Sequence, residues 1–313
     1  MRVAICFSGM PRNFKSVFDS HKKYVFDVLK DNGFDYDIFI HTWDNKVHYA
    51  KYMPDEGNIN EIVDLYKPVS YRQDVYDKNK MDELYFSSKI DKYREHIETK
   101  GFTEWQKRQN DISDWWGGGL LTHNTTSLFH GLREVNNLRK KYESENNFKY
   151  DIIIKTRFDN MIFDKLNVKT LCNESNSVFC PLGYEPVKDL PVEKFADADV
   201  VMKKRESLGT VNDIFAVGSR DAMNKYMTLY DRFYDLLIKR FNSGHPRPWH
   251  TLGLTKHNLI ENKVDIKLFY LAHIVTRRIQ KYKVFDSVVC GEGWNIPIKK
   301  TDKILLDSNN IGG

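Results

Sequence analysis

One run constrains what this chain can fold into more than any other: Tyr150-Asp151-Ile152-Ile153-Ile154-Lys155-Thr156-Arg157-Phe158-Asp159-Asn160. Three consecutive β-branched residues fit a strand covered on both faces, of the kind found in the middle of a parallel sheet. The run stops abruptly at an Arg-x-Asp cluster, and open α/β sheets place their ligands at the carboxyl ends of their strands. A polar site is therefore expected at the tip of a central strand.

The rest of the chain supplies alternating partners for that strand. Residues 3–8 read as a first strand that closes in Gly9-Met10-Pro11-Arg12-Asn13, and Phe14, Val17, Phe18, Tyr24, Val25, Val28 and Leu29 then recur at helical spacing. A turn at Asn32-Gly33 leads to a second strand over 37–43, a short helix over 59–66 and a third strand over 68–71. Leu121, Leu128, Leu132, Val135 and Leu138 stripe a helix over 120–142. Further strands are expected over 178–180, 210–218 and 264–268. Helices are expected from the N-cap Ser219 through Leu237 and over 252–261. The expectation is α/β: one domain over 1–313 with a Rossmann-like mixed sheet flanked by helices. Residues 74–118 are charged, aromatic and weakly periodic, and read as a mid-chain insertion or mobile loop whose end carries Trp115-Trp116-Gly117-Gly118-Gly119.

Bulk properties narrow the partners. The chain has 48 basic and 43 acidic residues, interspersed, for a formal net charge of +5. That fits a small anionic ligand and argues against a nucleic-acid partner. Cys6, Cys172, Cys180 and Cys290 form no Cys-x-x-Cys pair, which points to a reducing compartment. The sequence opens directly on strand-like residues, and no segment approaches the roughly 20 apolar residues needed to span a bilayer. A cytoplasmic chain with no transmembrane segment is expected, which leaves the sequons at Asn124 and Asn173 little weight.

Four constellations are candidates for chemistry. In Ser8-Gly9-Met10-Pro11-Arg12 a glycine turn after a strand turns backbone amides and a guanidinium toward an anion, and Arg binds a diphosphate bidentately where Lys acts as a point charge. In Arg157-Phe158-Asp159 the carboxylate is a candidate ligand for a hard divalent cation, Mn²⁺ or Mg²⁺, whose other ligands a diphosphate would supply. Arg157 either neutralises phosphate or pairs with Asp159 to cap the strand. A literal Asp-x-Asp at Asp197-Ala198-Asp199 follows no buried strand and is the weaker metal candidate. Asp213, in Asn212-Asp213-Ile214-Phe215, is a candidate general base, although Asn and Asp also stabilise strand-entering turns. Last come His245, His250 and His257, each an ordinary polar residue or a contributor to a metal site, with Trp249 beside them as either a surface for stacking an acceptor sugar or a hydrophobic anchor. Trp249 and His250 are the candidate acceptor residues.

Four stretches taken in order resemble GT-A-like nucleotide-sugar glycosyltransferases of viral and bacterial surface-glycan clusters. They are Ala4-Ile5-Cys6-Phe7-Ser8-Gly9 with Arg12, the run from Asp37 to Trp43, the run from Tyr150 to Phe163, and the run from Asn212 to Met223. The resemblance implies a nucleoside diphosphate sugar donor and a glycan or glycoconjugate acceptor. It further implies that the first glycine turn contacts the nucleotide and that Arg157-x-Asp159 stands where such enzymes carry Asp-x-Asp. By the same resemblance Asp213 faces donor and acceptor, and a viral enzyme would work in the host cytoplasm. A Pro-Glu pair expected near the last helix is replaced by Trp249-His250-Thr251. Nucleotidyl or phosphoryl transfer on a similar sheet, and a non-catalytic carbohydrate-binding or assembly protein, are the alternatives.

Overall fold

The computed structural model describes residues 1–44, 58–75, 123–166, 174–181, 211, 213–243, 251–269, 271, 273–275, 287–289 and 295–297. Most of the expected insertion, the pair Asp197 and Asp199, and Trp249, His250 and His245 lie outside them.

The described residues form an α/β fold around a seven-stranded mixed sheet. Its strands are β1 (Arg2–Ser8), β2 (Asp35–Asp44), β3 (Ser70–Val75), β4 (Ile152–Thr156), β6 (Ser177–Pro181), β7 (Ala216–Ser219) and β8 (Asp265–Phe269), in the spatial order β3-β2-β1-β4-β7-β6-β8. All neighbours run parallel except those of β7, which is antiparallel to both β4 and β6. Two short ribbons lie outside the sheet. One pairs β5 (Asn160–Ile162) with β9 (His273–Val275), the other β10 (Ser287–Val289) with β11 (Asn295–Pro297).

Alternation along β1 explains why the sheet has helices on both sides. Val3, Ile5 and Phe7 point to one face and Ala4 and Cys6 to the other, all of them completely buried. The first face is covered by α1 (Phe14–His21), a single π-helical turn (Lys22–Phe26), α2 (Asp27–Asp31) and α3 (Ile59–Tyr66), through Phe14, Phe26, Leu29, Ile62 and Tyr66. The second is covered by α4 (His123–Glu145), α5 (Arg220–Met227), α6 (Leu229–Asn242) and α7 (Thr251–Glu261), through Phe129, Leu132, Met223, Leu236 and Leu254. Every residue of β4 is buried, as its β-branched run predicts. Each isoleucine there removes enough apolar surface from water to contribute about 2–3 kcal/mol.

Two elements differ from expectation for identifiable reasons. The strand expected over 210–218 starts only at Ala216, opposite Lys155 near the end of β4, and residues 213–215 precede it outside the sheet, with Lys155 taking the carbonyls of Asp213 and Ile214. The helix expected from Ser219 to Leu237 is two helices, broken at Thr228, whose hydroxyl bonds back to the Asn224 carbonyl at 2.8 Å. Ser219 does cap α5, its Oγ accepting from the Ala222 amide at 3.4 Å.

The chain leaves β1 toward β2 and β3 in one direction, then crosses over through α4 to enter β4 on the other side of β1. Strand order therefore reverses between β1 and β4, and the crevice beyond their carboxyl ends is the place where open α/β sheets bind ligands.

Candidate functional site

Register decides which side chains share that crevice. Phe7 pairs with Thr156, so the next residues, Ser8 on β1 and Arg157 after β4, leave adjacent strands side by side. Ser8 also lies level with His41 on β2, and the Gly9 amide donates to the His41 carbonyl at 3.3 Å. The Thr42 hydroxyl donates to the Gly9 carbonyl at 3.0 Å, which fixes the turn from both directions. Gly9 has φ 117°, a conformation that side-chain-bearing residues rarely adopt, while an added Cβ would meet nothing within 4 Å. The backbone conformation, not the available space, is what requires glycine there.

Arg157 grips Asp159 with a two-pronged contact, Nε to Oδ1 at 2.8 Å and Nη2 to Oδ2 at 2.7 Å. The Asp159 side chain is 1% exposed and that of Arg157 19%. The capping pair considered in the sequence is thus formed. It places a guanidinium where a cation held by Asp159 would sit, so a metal could use this carboxylate only after Arg157 turned away. The next residue, Asn160, is anchored from several sides. Its carbonyl accepts from His21 Nε2 at 2.8 Å, and its side-chain oxygen lies 2.7 Å from His273 Nδ1. Because that carbonyl can only accept, His21 carries its proton on Nε2, which leaves Nδ1 to accept from the Tyr66 hydroxyl at 3.1 Å. Burial pushes the His21 pKa down to about 4, against the opposing pull of the Asn160 carbonyl and Asp159.

Asp213 reaches the same edge because β7 runs antiparallel, which puts its approach segment beside the carboxyl end of β4. Lys155 holds it there. This fully buried ammonium donates to the main-chain carbonyls of Asp213 and Ile214, the latter at 3.3 Å. Burial lowers the Lys155 pKa to about 8; the Asp213 carboxylate opposes the shift and the Arg157 charge adds to it. This anchoring role of Lys155 is concealed in the sequence, where it reads as one more position in an apolar strand.

A second cluster escaped sequence reasoning for a different reason. His41 falls within the strand expected over 37–43, Asp74 at the start of the insertion and His130 inside an amphipathic helix, so no motif joins them in the sequence. In the fold His41 Nε2 and His130 Nε2 lie 3.0 and 3.1 Å from the same oxygen of Asp74, Oδ2. Arg72 Nε donates to the other oxygen at 2.7 Å. Burial alone would raise the Asp74 pKa, but these hydrogen bonds hold it well below the usual carboxylate range. Burial lowers the His130 pKa, with the Asp74 hydrogen bond opposing. Among the described residues this is the group suited to holding a metal ion.

A cleft of about 770 Å³ opens at the opposite edge of the sheet, lined by Arg2, Lys30, Asp35, Tyr36, Asp37 and Phe148 among others. Its charges offset one another, and it lies at the amino ends of β1 and β2, away from the switch point. No helix among the described residues is long and apolar enough to cross a membrane. No protein-family model matches the chain, and no curated protein matches it.

Proposed function

We propose that the chain is a glycosyltransferase that moves a sugar from a nucleoside diphosphate sugar to a glycan or glycoconjugate acceptor. The observation that carries this reading is the convergence of the Ser8-Gly9 turn, Arg157-Asp159 and Asp213 on one strand-order reversal, between β1, β4 and β7. The three come from distant parts of the sequence and are the residues that the resemblance implicates.

In this reading Arg12 and Arg157 offset the diphosphate charge, with Asp159 holding the Arg157 guanidinium in place. The bond from the anomeric carbon to the diphosphate breaks, and an acceptor oxygen forms the new bond to that carbon. The acceptor proton passes to Asp213. Stabilising the leaving diphosphate is the largest electrostatic task, and guanidinium groups at a crevice edge suit it. A Mn²⁺ or Mg²⁺ ion bound with the donor would share that charge.

The test is a product assay with the full-length chain and a panel of nucleoside diphosphate sugars. Released nucleoside diphosphate is expected from the unmodified chain, with Asp213→Asn slowing turnover about 10²- to 10⁴-fold while donor affinity holds. Release of pyrophosphate instead would assign nucleotidyl transfer, and unchanged turnover in the variant would remove Asp213 as the base.

A further inference from the structure

We infer that His41, Asp74 and His130 form a binding site for a borderline transition-metal cation, Zn²⁺ in chemical class, separate from any metal at Asp159. The three residues sit on three different elements, β2, β3 and α4, and their ligating atoms lie within 4.8 Å of one another. Ligands bound tetrahedrally at about 2.0–2.2 Å stand about 3.3 Å apart. The observed separations of 3.0 and 3.1 Å from Asp74 Oδ2 to the two imidazole nitrogens need to open by only a few tenths of an ångström.

The surroundings fit a cation. Arg72 donates to Asp74 Oδ1 at 2.7 Å, which orients the carboxylate and leaves Oδ2 to the metal, as outer partners of metal ligands do. Trp43 walls the cluster, its ring centre 5.1 Å from that of His41 and 5.3 Å from that of His130. Gly131 lets α4 come this close, because a Cβ there would lie 3.2 Å from His41 Nδ1. Among the described residues, the ionic partners around the cluster are the carboxylates of Asp74, Glu134 and Asp231 and the guanidiniums of Arg72 and Arg133, three negative charges against two positive. With neutral imidazoles that leaves a net negative charge, which a divalent ion reverses.

Binding has a defined proton cost. His130 Nδ1 lies 3.3 Å from Arg133 Nη2, so without metal the His130 proton is on Nε2, facing Asp74. Metal at Nε2 moves that proton to Nδ1, and Arg133 must then rely on Glu134, which it reaches at 2.9 Å, and Asp231, at 3.5 Å. His41 Nε2 likewise faces Asp74, so metal there moves the His41 proton to Nδ1, which is buried and meets no hydrogen-bond partner among the described residues, a second cost of binding. Two imidazoles and one carboxylate select Zn²⁺, Co²⁺ or Ni²⁺ over Mg²⁺. The ion ties the carboxyl end of β2 to α4 beside the Ser8-Gly9 turn, a positioning role that does not depend on the transferase reading.

The test uses the tag-free, full-length chain, stripped with chelator and dialysed against Zn²⁺ alone or Co²⁺ alone. One equivalent is expected to be retained, with the visible bands of four-coordinate Co²⁺, and an excess of Mg²⁺ should not displace it. His130→Gln and Asp74→Asn should each abolish retention, and Arg72→Gln should weaken it about 10- to 100-fold. Near-ultraviolet circular dichroism identifies the variants that remain folded. No retained Zn²⁺ or Co²⁺ in the folded unmodified chain would overturn the inference. So would binding undiminished in folded His130→Gln and Asp74→Asn, or ready displacement by Mg²⁺.

Discussion

At the scale of single residues, the site depends on groups whose charge state is set by burial. His21 illustrates this, because it joins α1 to the segment that follows Arg157-Asp159 while staying neutral. Its folded pKa is depressed to about 4, below the ordinary value of 6.5. The unfolded chain takes up the His21 proton as pH falls through about 6.5, and the native chain does so only near 4. Its contribution to stability is therefore complete above pH 6.5 and is lost as pH drops toward 4, by on the order of 3 kcal/mol. Urea unfolding at pH 7 and at pH 4.5 should show a smaller loss between the two for His21→Gln than for the unmodified chain. Equal losses would mean that His21 is not the group responsible. His130 shifts in the same direction, so some acid sensitivity should survive in the variant.

At the scale of elements, the antiparallel strand β7 connects the two halves of the sheet. Gly218 is its centre, paired with Ile153 of β4 on one side and Val178 of β6 on the other. A Cβ on Gly218 would come 2.4 Å from the Ser177 carbonyl oxygen and 3.3 Å from Val178 Cα, both main-chain atoms of a paired strand. Gly218→Ala should therefore push β6 from β7 and cost about 1–3 kcal/mol, lowering the thermal midpoint by several degrees. An unchanged midpoint in calorimetry would contradict this pairing. The sequence made β1, β2 and β4 legible because their apolar runs are long and end in polar residues. It left β5 and β9 hidden, since three-residue ribbons such as Asn160–Ile162 carry no periodicity of their own. The late start of β7 was equally hidden, because it depends on where β4 ends and on Lys155 taking the carbonyls of Asp213 and Ile214.

At the scale of the whole molecule, a mixed sheet with helices on both faces brings the Ser8-Gly9 turn, residues 157–159 and residue 213 to the same end of the sheet, although some 200 positions separate the first from the last. Single residues in this set were visible as candidates in the sequence. Their convergence was not, because it follows from strand order and from the direction of β7. The pairing of Arg157 with Asp159 was also open until the side chains were placed, and under the proposed function it would make fixed positive charge the main provision for a diphosphate. The most direct test is a calorimetric titration of uridine and guanosine diphosphates into the full-length chain, with and without Mn²⁺, repeated on Arg157→Ala. The account predicts saturable binding of a nucleoside diphosphate that Arg157→Ala weakens at least about 10-fold. A folded chain that binds no common nucleoside diphosphate, with or without Mn²⁺, would contradict it.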